Sequence, residues 1–171
     1  MLGYHEQHKF TGEKVKVEGR DKPLILIVDD QATIIRIMTN MLQPDYAVCV
    51  ATDGSRAIDV ARNQQPDLIL LDIIMPGMTG VEACKALKAD PITEKIPVIF
   101  VTSMDDKHNE EVALKAGAVD YIPKPPSVEI VRARVKVHLS ANRHRKFIER
   151  LAAGDVSDPE EIKKQAQEIL Q

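Results

Sequence analysis

The feature that most constrains this 171-residue chain is the run LILIV at residues 24–28, which two aspartates follow directly. A strand that is apolar on both faces belongs inside a sheet that helices cover on both sides. Further short apolar runs occur at residues 48–50, 68–71, 98–101 and 119–122. Because a helical pattern follows each run, the sequence predicts an α/β domain with a five-stranded parallel sheet and right-handed crossovers.

The composition restricts the class of protein and its partners. Hydrophobic residues make up 44% and charged residues 29% of the chain, which is typical of a soluble globular protein. A net charge of −3 gives no global attraction to nucleic acid or to an anionic membrane. Residues 1–22 are polar and lack the apolar region of a secretory signal, so we expect a flexible N-terminal tail and a cytoplasmic location.

Polar side chains stand at the carboxyl ends of four predicted strands. Asp29 and Asp30 follow the first strand, Asp72 ends the third, Thr102 ends the fourth and Lys124 follows the fifth. Each residue taken singly could be a helix cap or a solvated charge. Ligands of such sheets bind outside the carboxyl ends of the strands, so these side chains are expected to converge. Three carboxylates would repel one another unless Lys124 and a hard divalent ion, for which Mg²⁺ is the natural candidate, lay among them.

Four motifs carry a resemblance to a known family. The stretches LILIVDD, LILLDIIMPGMTG, VIFVTS and DYIPKP, in this order and spacing, resemble the CheY-like receiver domain of two-component response regulators. The resemblance begins at residue 24 and ends near residue 139, so we assign a receiver domain to residues 23–139. It implies a flavodoxin-like, doubly wound sheet with the strand order 2-1-3-4-5.

The resemblance also implies a role for the residues at the strand ends. Asp72 would be the nucleophile that takes a phosphoryl group from the phosphohistidine of a sensor histidine kinase or a phosphotransfer protein. Asp30, Asp72 and the backbone carbonyl of Ile74 would bind Mg²⁺ directly, and Asp29 would act mainly through bound water. Lys124 would pair with a phosphoryl oxygen, and the Lys–Pro bond that follows is commonly cis in this family.

Two further pairs of residues are assigned through the same resemblance. Thr102 would hydrogen-bond the phosphoryl group while Tyr121 turns inward, which reshapes the face formed by the fourth helix, the fifth strand and the fifth helix. The alternative for Tyr121 is a half-buried strand aromatic with no such role. Ile74 and Met104 stand at the positions that tune the phosphoryl lifetime, and neither can orient water by hydrogen bonding. The chain is therefore predicted to dephosphorylate itself slowly, over minutes or longer.

Residues 140–171 extend beyond the usual receiver end and are predicted to be a helical stalk. Residues spaced three and four apart form a seam with a period near 3.5, which favours pairing with a partner helix or a second copy: Val128, Val131, Val135, His138, Asn142, Arg145, Ile148 and Leu151. A homodimer is expected through this helix or through the face formed by the fourth helix, the fifth strand and the fifth helix. Nucleic acid is not an expected partner, because basic residues on a helical stalk are usually solvated.

The predicted activity is a signalling switch that catalyses only its own phosphorylation and dephosphorylation. An aspartate-nucleophile phosphohydrolase would carry a second aspartate two residues after Asp72, where this chain has Ile74. The chain contains no GGDEF-like or HD-type motif, so we expect no output domain within it. A stand-alone or degenerate receiver that acts as a protein-interaction module stays open, as does the N-terminal part of a cyclic-di-GMP-related regulator.

Overall fold

The computed structural model of this chain describes residues 21–103 and 115–169. Most of the predicted flexible tail and most of the predicted fourth helix therefore lie outside the described residues. Met104, one of the two residues expected to tune the phosphoryl lifetime, lies outside them as well.

Within the described ranges, five strands form one parallel sheet in the order β2-β1-β3-β4-β5, as predicted. Their bounds lie close to those of the apolar runs: β1 Leu24–Val28, β2 Ala47–Ala51, β3 Leu68–Asp72, β4 Val98–Thr102 and β5 Asp120–Pro123. Strands β1, β3 and β4 are buried along their whole length, since helices cover both faces of the sheet.

The helices of the described part connect these strands and extend past the last one. They are α1 Ala32–Leu42, α2 Gly54–Gln64, α3 Gly80–Ala89, α4 Val128–Ala153 and α5 Pro159–Ile169. The helix labelled α4 follows β5 and is therefore the one that the sequence predicted as the fifth. Side-chain oxygens of Asp53, Thr79 and Ser127 accept backbone N–H groups at the starts of α2, α3 and α4, which satisfies donors that a helix start leaves free. None of these helices is both long and apolar enough to cross a membrane.

The sheet separates two apolar cores built from alternate residues of the same strands. Leu26, Ile69 and Phe100 belong to the core that α2 and α3 cover. Ile25, Leu70 and Ile99 belong to the core that α1 and α4 cover. Burial of each Leu, Ile or Phe side chain stabilises the fold by about 1.5–3 kcal/mol. Because residues of the strands supply both cores, this packing holds the strands, and the residues at their ends, in place.

The middle of the seam predicted along α4 faces the domain itself, whereas Val128 at its start and Ile148 near its end are exposed. Val131 and Val135 are fully buried against the sheet. Asn142 donates its amide to the backbone oxygen of Asp67 at 2.9 Å, and Arg145 donates to the backbone oxygen of Lys95 at 2.7 Å. These seam residues are therefore not available to a second helix, and the pairing prediction was wrong for them. The physical reason is that their apolar and polar groups already have partners on the sheet side.

The predicted stalk folds back on itself as a helical hairpin. Gly154 ends α4 in the left-handed conformation with φ +74°, which glycine adopts without strain. Val156 in the connection is buried. Arg150 lies 3.4 Å from the side-chain oxygen of Gln165 and 3.8 Å from Glu161, so α5 packs along α4.

Candidate functional site

Three carboxylates meet at the carboxyl edge of the sheet, where β1 and β3 end. Asp29 and Asp30 follow β1, and Asp72 is the last residue of β3. One oxygen from each carboxylate lies within 4.8 Å of the others. Asp29 and Asp72 are buried, whereas Asp30 is exposed. We call this set of three the acidic edge.

Lys124 places an ammonium group inside the acidic edge. Its Nζ lies 2.7 Å from Oδ2 of Asp29 and 2.8 Å from Oδ2 of Asp72. The backbone N–H of Lys124 donates to the carbonyl of Thr102 at 2.8 Å, which ties the residue to the end of β4. The peptide bond between Lys124 and Pro125 is cis, as the family resemblance implied. The lysine is thus positioned by the backbone as well as by its charge.

The charges at the acidic edge are not balanced. Burial raises the pKa of Asp72, the charge of nearby Asp29 raises it further, and Lys124 offsets these effects only in part. Burial alone would lower the pKa of Lys124, but its contacts with Asp29 and Asp72 outweigh that effect and raise it. The edge therefore holds a protonated lysine beside a carboxylate that lacks full compensation for its charge.

The backbone around Asp72 is held in a close arrangement. The N–H of Gly80 donates to the carbonyl of Ile73 at 2.9 Å. A Cβ atom at residue 80 would lie 1.9 Å from the backbone oxygen of Asp72, so any side chain there would displace the backbone of Asp72. Our sequence reasoning gave Gly80 no role at the site. A glycine at a helix start is too common a signal to indicate such a close approach.

The other predicted residues that the structure describes lie on β4, on β5 and in the segment after β3. Thr102 ends β4 and is buried, and Asp72 is aligned with Val101 in the neighbouring strand. Tyr121 lies on β5 opposite Phe100 and is partly buried. The side chain of Ile74 is 56% exposed, and its N–H lies 3.4 Å from Oδ1 of Asp72.

A second charged cluster, which our sequence reasoning missed, lies between β5 and α4. Arg134 donates from one nitrogen to both carboxylate oxygens of Asp120, with a distance of 2.6 Å to Oδ2. Nε2 of His138 lies 2.9 Å from the same oxygen. Burial alone would raise the pKa of Asp120, but the hydrogen bonds from Arg134 and His138 outweigh it and hold the pKa below its ordinary value. We call these three residues the basic clamp.

The acidic edge has the chemistry of a magnesium site. Its ligands are hard carboxylate oxygens, with no cysteine or histidine among the three, which suits Mg²⁺ better than a softer transition metal. Three carboxylates and one ammonium group leave an excess of negative charge that a divalent cation would compensate. Asp30 is exposed, so one of the three carboxylates faces the solvent from which a cation would arrive. The residues present therefore fit a bound Mg²⁺ ion.

Comparisons with known proteins agree with this geometry. A family model described as "Response regulator receiver domain" matches residues 25–136. The chain is 37% identical over 134 residues to a Vibrio cholerae protein named "Probable cyclic di-GMP phosphodiesterase", with 78% of this chain and 30% of that protein covered. It is 35% identical over 133 residues to the DNA-binding response regulator MtrA of Mycolicibacterium smegmatis, with 77% of this chain and 57% of MtrA covered.

A solved structure shows the same fold. The CheY-like response regulator receiver domain protein of Methanospirillum hungatei superposes with a TM-score of 0.68 at 27% identity. The match covers 72% of this chain and 98% of that structure. By contrast, the chain spans only about a third to a half of the length of the two relatives above.

Proposed function

This chain belongs to the response regulator receiver domain family, and on that premise we propose that Asp72 accepts a phosphoryl group from a phosphohistidine. The observation that carries the proposal is the position of Asp72, buried at the acidic edge with Lys124 at 2.8 Å and a raised pKa. A carboxylate with incomplete charge compensation is a suitable nucleophile where a cation and a lysine can receive the incoming phosphoryl oxygens.

In the proposed reaction, a carboxylate oxygen of Asp72 attacks phosphorus as the bond between phosphorus and the histidine nitrogen of the donor breaks. Lys124, which already contacts Asp72, pairs with a phosphoryl oxygen and limits the build-up of negative charge. Asp29, Asp30, Asp72 and the backbone carbonyl of Ile74 would hold the metal. Mg²⁺ bound there supplies positive charge to the phosphoryl oxygens. Gly80 allows the start of α3 to approach the backbone of Asp72, because no larger residue fits beside it.

The proposed readout is a rearrangement of Thr102 and Tyr121. The hydroxyl of Thr102 would hydrogen-bond the phosphoryl group, which carries about −1.5 to −2 charges at neutral pH in place of the single charge of the free carboxylate. Tyr121, which is partly buried on the edge strand β5, would then turn inward. This movement would alter the surface that β5 shares with α4, which is the surface offered to a partner.

The proposed phosphoryl group is long-lived. Ile74 offers no hydrogen-bonding side chain to orient an attacking water, although its side chain is exposed beside Asp72. We expect a half-life of minutes or longer in Mg²⁺. Replacement of Ile74 by Asn, which can bind water, is expected to shorten it, whereas replacement by Leu is not.

We infer that the phosphoryl donor is a sensor histidine kinase or a phosphotransfer protein.

We also infer that this chain forms a homodimer through the outward face of α4. Exposed residues spaced four or seven apart lie on that face: Ile130, Val137, Ala141 and Ile148. Val137 and Ile148 are each more than 60% exposed. Because Asp120 neutralises Arg134, two such faces could meet without strong repulsion. Sizing of Val137→Glu with Ile148→Glu tests this, since the doubly substituted protein should remain monomeric.

The test of the phosphorylation proposal is incubation with acetyl phosphate and Mg²⁺, followed by intact mass analysis. We expect the unaltered chain to gain one phosphoryl group and Asp72→Asn to gain none. Asp120→Asn is the matched control, because it removes a carboxylate from the same sheet away from the acidic edge. A gain of mass in Asp72→Asn, or none in the unaltered chain, would contradict the proposal. The second outcome would favour a degenerate receiver that acts only by protein contacts.

A further inference from the structure

The guanidinium group of Arg134 lies over the ring of Tyr121 as well as against Asp120. Its Cζ atom is 5.8 Å from the centroid of the ring, within the range of a cation–π contact. Arg134 belongs to α4, whereas Asp120 and Tyr121 are consecutive residues of β5. One side chain of the long helix therefore contacts the residue proposed as the switch aromatic.

The position of these residues on β5 explains how Arg134 contacts both. Side chains of consecutive strand residues point to opposite faces of the sheet. Ile122 belongs to the core that α4 covers, and Tyr121 packs against the opposite core. Strand β5 is the last strand in the sheet order. Arg134 thus reaches from the helix side around this edge strand to the ring on the other face.

Asp120 fixes the orientation of Arg134. The carboxylate of Asp120 accepts both hydrogen bonds from Arg134, lies beside His138, and accepts the N–H of Tyr121 at 2.8 Å. A surface arginine normally samples many rotamers, and ordering it costs free energy. Here the hydrogen bonds to the carboxylate of Asp120 offset that cost, so the guanidinium group is already held in position over the ring.

We propose that Arg134 is a positioning residue that holds the Tyr121 ring in its half-buried place at the sheet edge and so opposes the phosphorylated state. This inference rests on the proposed role of Tyr121 as the switch. When the ring turns inward it leaves the guanidinium, and the attraction between them is lost. Phosphorylation must therefore supply the free energy of that contact, and loss of the contact should make the phosphorylated conformation easier to reach.

The same contact would connect the acidic edge with the long helix. Arg134 and His138 both join α4 to β5 through Asp120. Movement of Tyr121 would remove one partner of Arg134 and leave the other in place. Because coupling between two sites is reciprocal, weakening the Arg134 contact should strengthen binding of a phosphoryl mimic at Asp72.

The experiment uses the full chain labelled with 3-fluorotyrosine and followed by ¹⁹F NMR. The chain has three tyrosines, and Tyr121→Phe identifies the resonance of interest. Beryllium fluoride with Mg²⁺ serves as the phosphoryl mimic. We expect Arg134→Gln to need about three-fold less beryllium fluoride for half-conversion than the unaltered chain, the scale of one exposed cation–π contact. Its Tyr121 resonance should already lie nearer the converted position before any is added.

Two further variants sharpen the test. Arg134→Lys keeps a positive charge beside Asp120 but lacks the planar guanidinium, so it should change in the same direction by less. Arg132→Gln is the matched control, because Arg132 lies on the same helix and contacts Met41 and Asp45 instead of the ring. It should titrate like the unaltered chain. If Arg134→Gln does not fold, Arg134→Lys alone decides the result.

The outcomes separate this inference from the proposed function. If the unaltered chain responds to beryllium fluoride and Asp72→Asn does not, but the Arg134 variants match Arg132→Gln, then the role of Arg134 is overturned and Asp72 remains the acceptor. If the unaltered chain and Asp72→Asn both fail to respond, both proposals fail together.

Discussion

The acidic edge and the basic clamp combine carboxylates with basic side chains in opposite proportions. At the acidic edge, three carboxylates lie together, and among the described residues the ammonium group of Lys124 contacts two of them. In the basic clamp, one carboxylate, that of Asp120, has Arg134 and His138 beside it. Burial raises the pKa of Asp72 and Lys124 offsets this only in part, whereas the hydrogen bonds of Asp120 outweigh its burial and lower its pKa.

This difference indicates which cluster a bound cation would stabilise. The basic clamp is complete, because the hydrogen bonds of Asp120 outweigh the cost of its burial. The acidic edge is incomplete, because burial and like charge still oppose the ionised form of Asp72. A cluster whose charges are compensated by their partners stabilises the fold. A cluster with an uncompensated excess of negative charge can bind a cation and is a candidate for a reactive site.

The largest expected effect follows from removing Lys124, the one cation that the described residues place against Asp29 and Asp72. Lys124→Met would leave Asp29 and Asp72 buried without an ammonium partner and should lower the free energy of unfolding by about 3 kcal/mol in metal-free buffer. Mg²⁺ should restore part of that loss, since it replaces the missing charge. Urea denaturation with and without Mg²⁺ measures both values.

The control for this prediction is Lys146→Met. Lys146 pairs with Asp67 at 2.7 Å but is about half exposed, so its loss should cost less than about 1 kcal/mol and should not depend on Mg²⁺. If Lys124→Met cost no more than Lys146→Met, the acidic edge would not depend on its lysine.

The next largest effect concerns the basic clamp. Asp120→Asn removes the charged acceptor of Arg134 and His138 and should lower the free energy of unfolding by about 2 kcal/mol. The loss should be the same with and without Mg²⁺, because Asp120 does not belong to the acidic edge. A loss that Mg²⁺ reverses would mean that metal binding alone, without a phosphoryl group, already acts on the basic clamp.

The smallest expected effect is on the pH dependence of stability. In metal-free buffer at pH 7, Asp72→Asn should raise the free energy of unfolding by about 1 kcal/mol, the scale of one polar interaction. The pKa of Asp72 lies above its ordinary value of 3.8, so this advantage should fade as pH falls through the raised pKa. The penalty of Asp120→Asn should persist down to about that ordinary value and fade only below it, because the pKa of Asp120 is lowered.

Thermal or urea unfolding from pH 7 to pH 3 checks this order. The two variants should lose their effects in sequence, Asp72→Asn first and Asp120→Asn second. The reverse order would show that we have assigned the excess of charge to the wrong cluster.

Much of the fold and of the acidic edge could be predicted from the sequence, because buried parallel strands are continuous apolar runs. The run LILIV became β1 with the bounds expected for it, and the carboxylates that follow β1 and end β3 met at one edge. Position at a strand end determines position in space in such a sheet. The three carboxylates could therefore be placed without knowledge of any side-chain contact.

The basic clamp could not be predicted in this way. Asp120 and Arg134 are 14 residues apart, and each alone has the pattern of a solvated charge. Their contact depends on how α4 is rotated about its own axis. Two stripes with nearly the same spacing run along α4, and only the packing of Val131 and Val135 against the sheet decides which one faces inward. Local periodicity does not contain that information.

Calorimetric titration of Mg²⁺ into the unphosphorylated chain tests most directly whether the acidic edge is a metal site. We predict one Mg²⁺ ion per chain, no binding by Asp30→Ala, whose exposed side chain can be removed without loss of the fold, and unchanged binding by Asp120→Asn. Absence of binding to the unaltered chain, or equal binding by Asp30→Ala, would contradict the account.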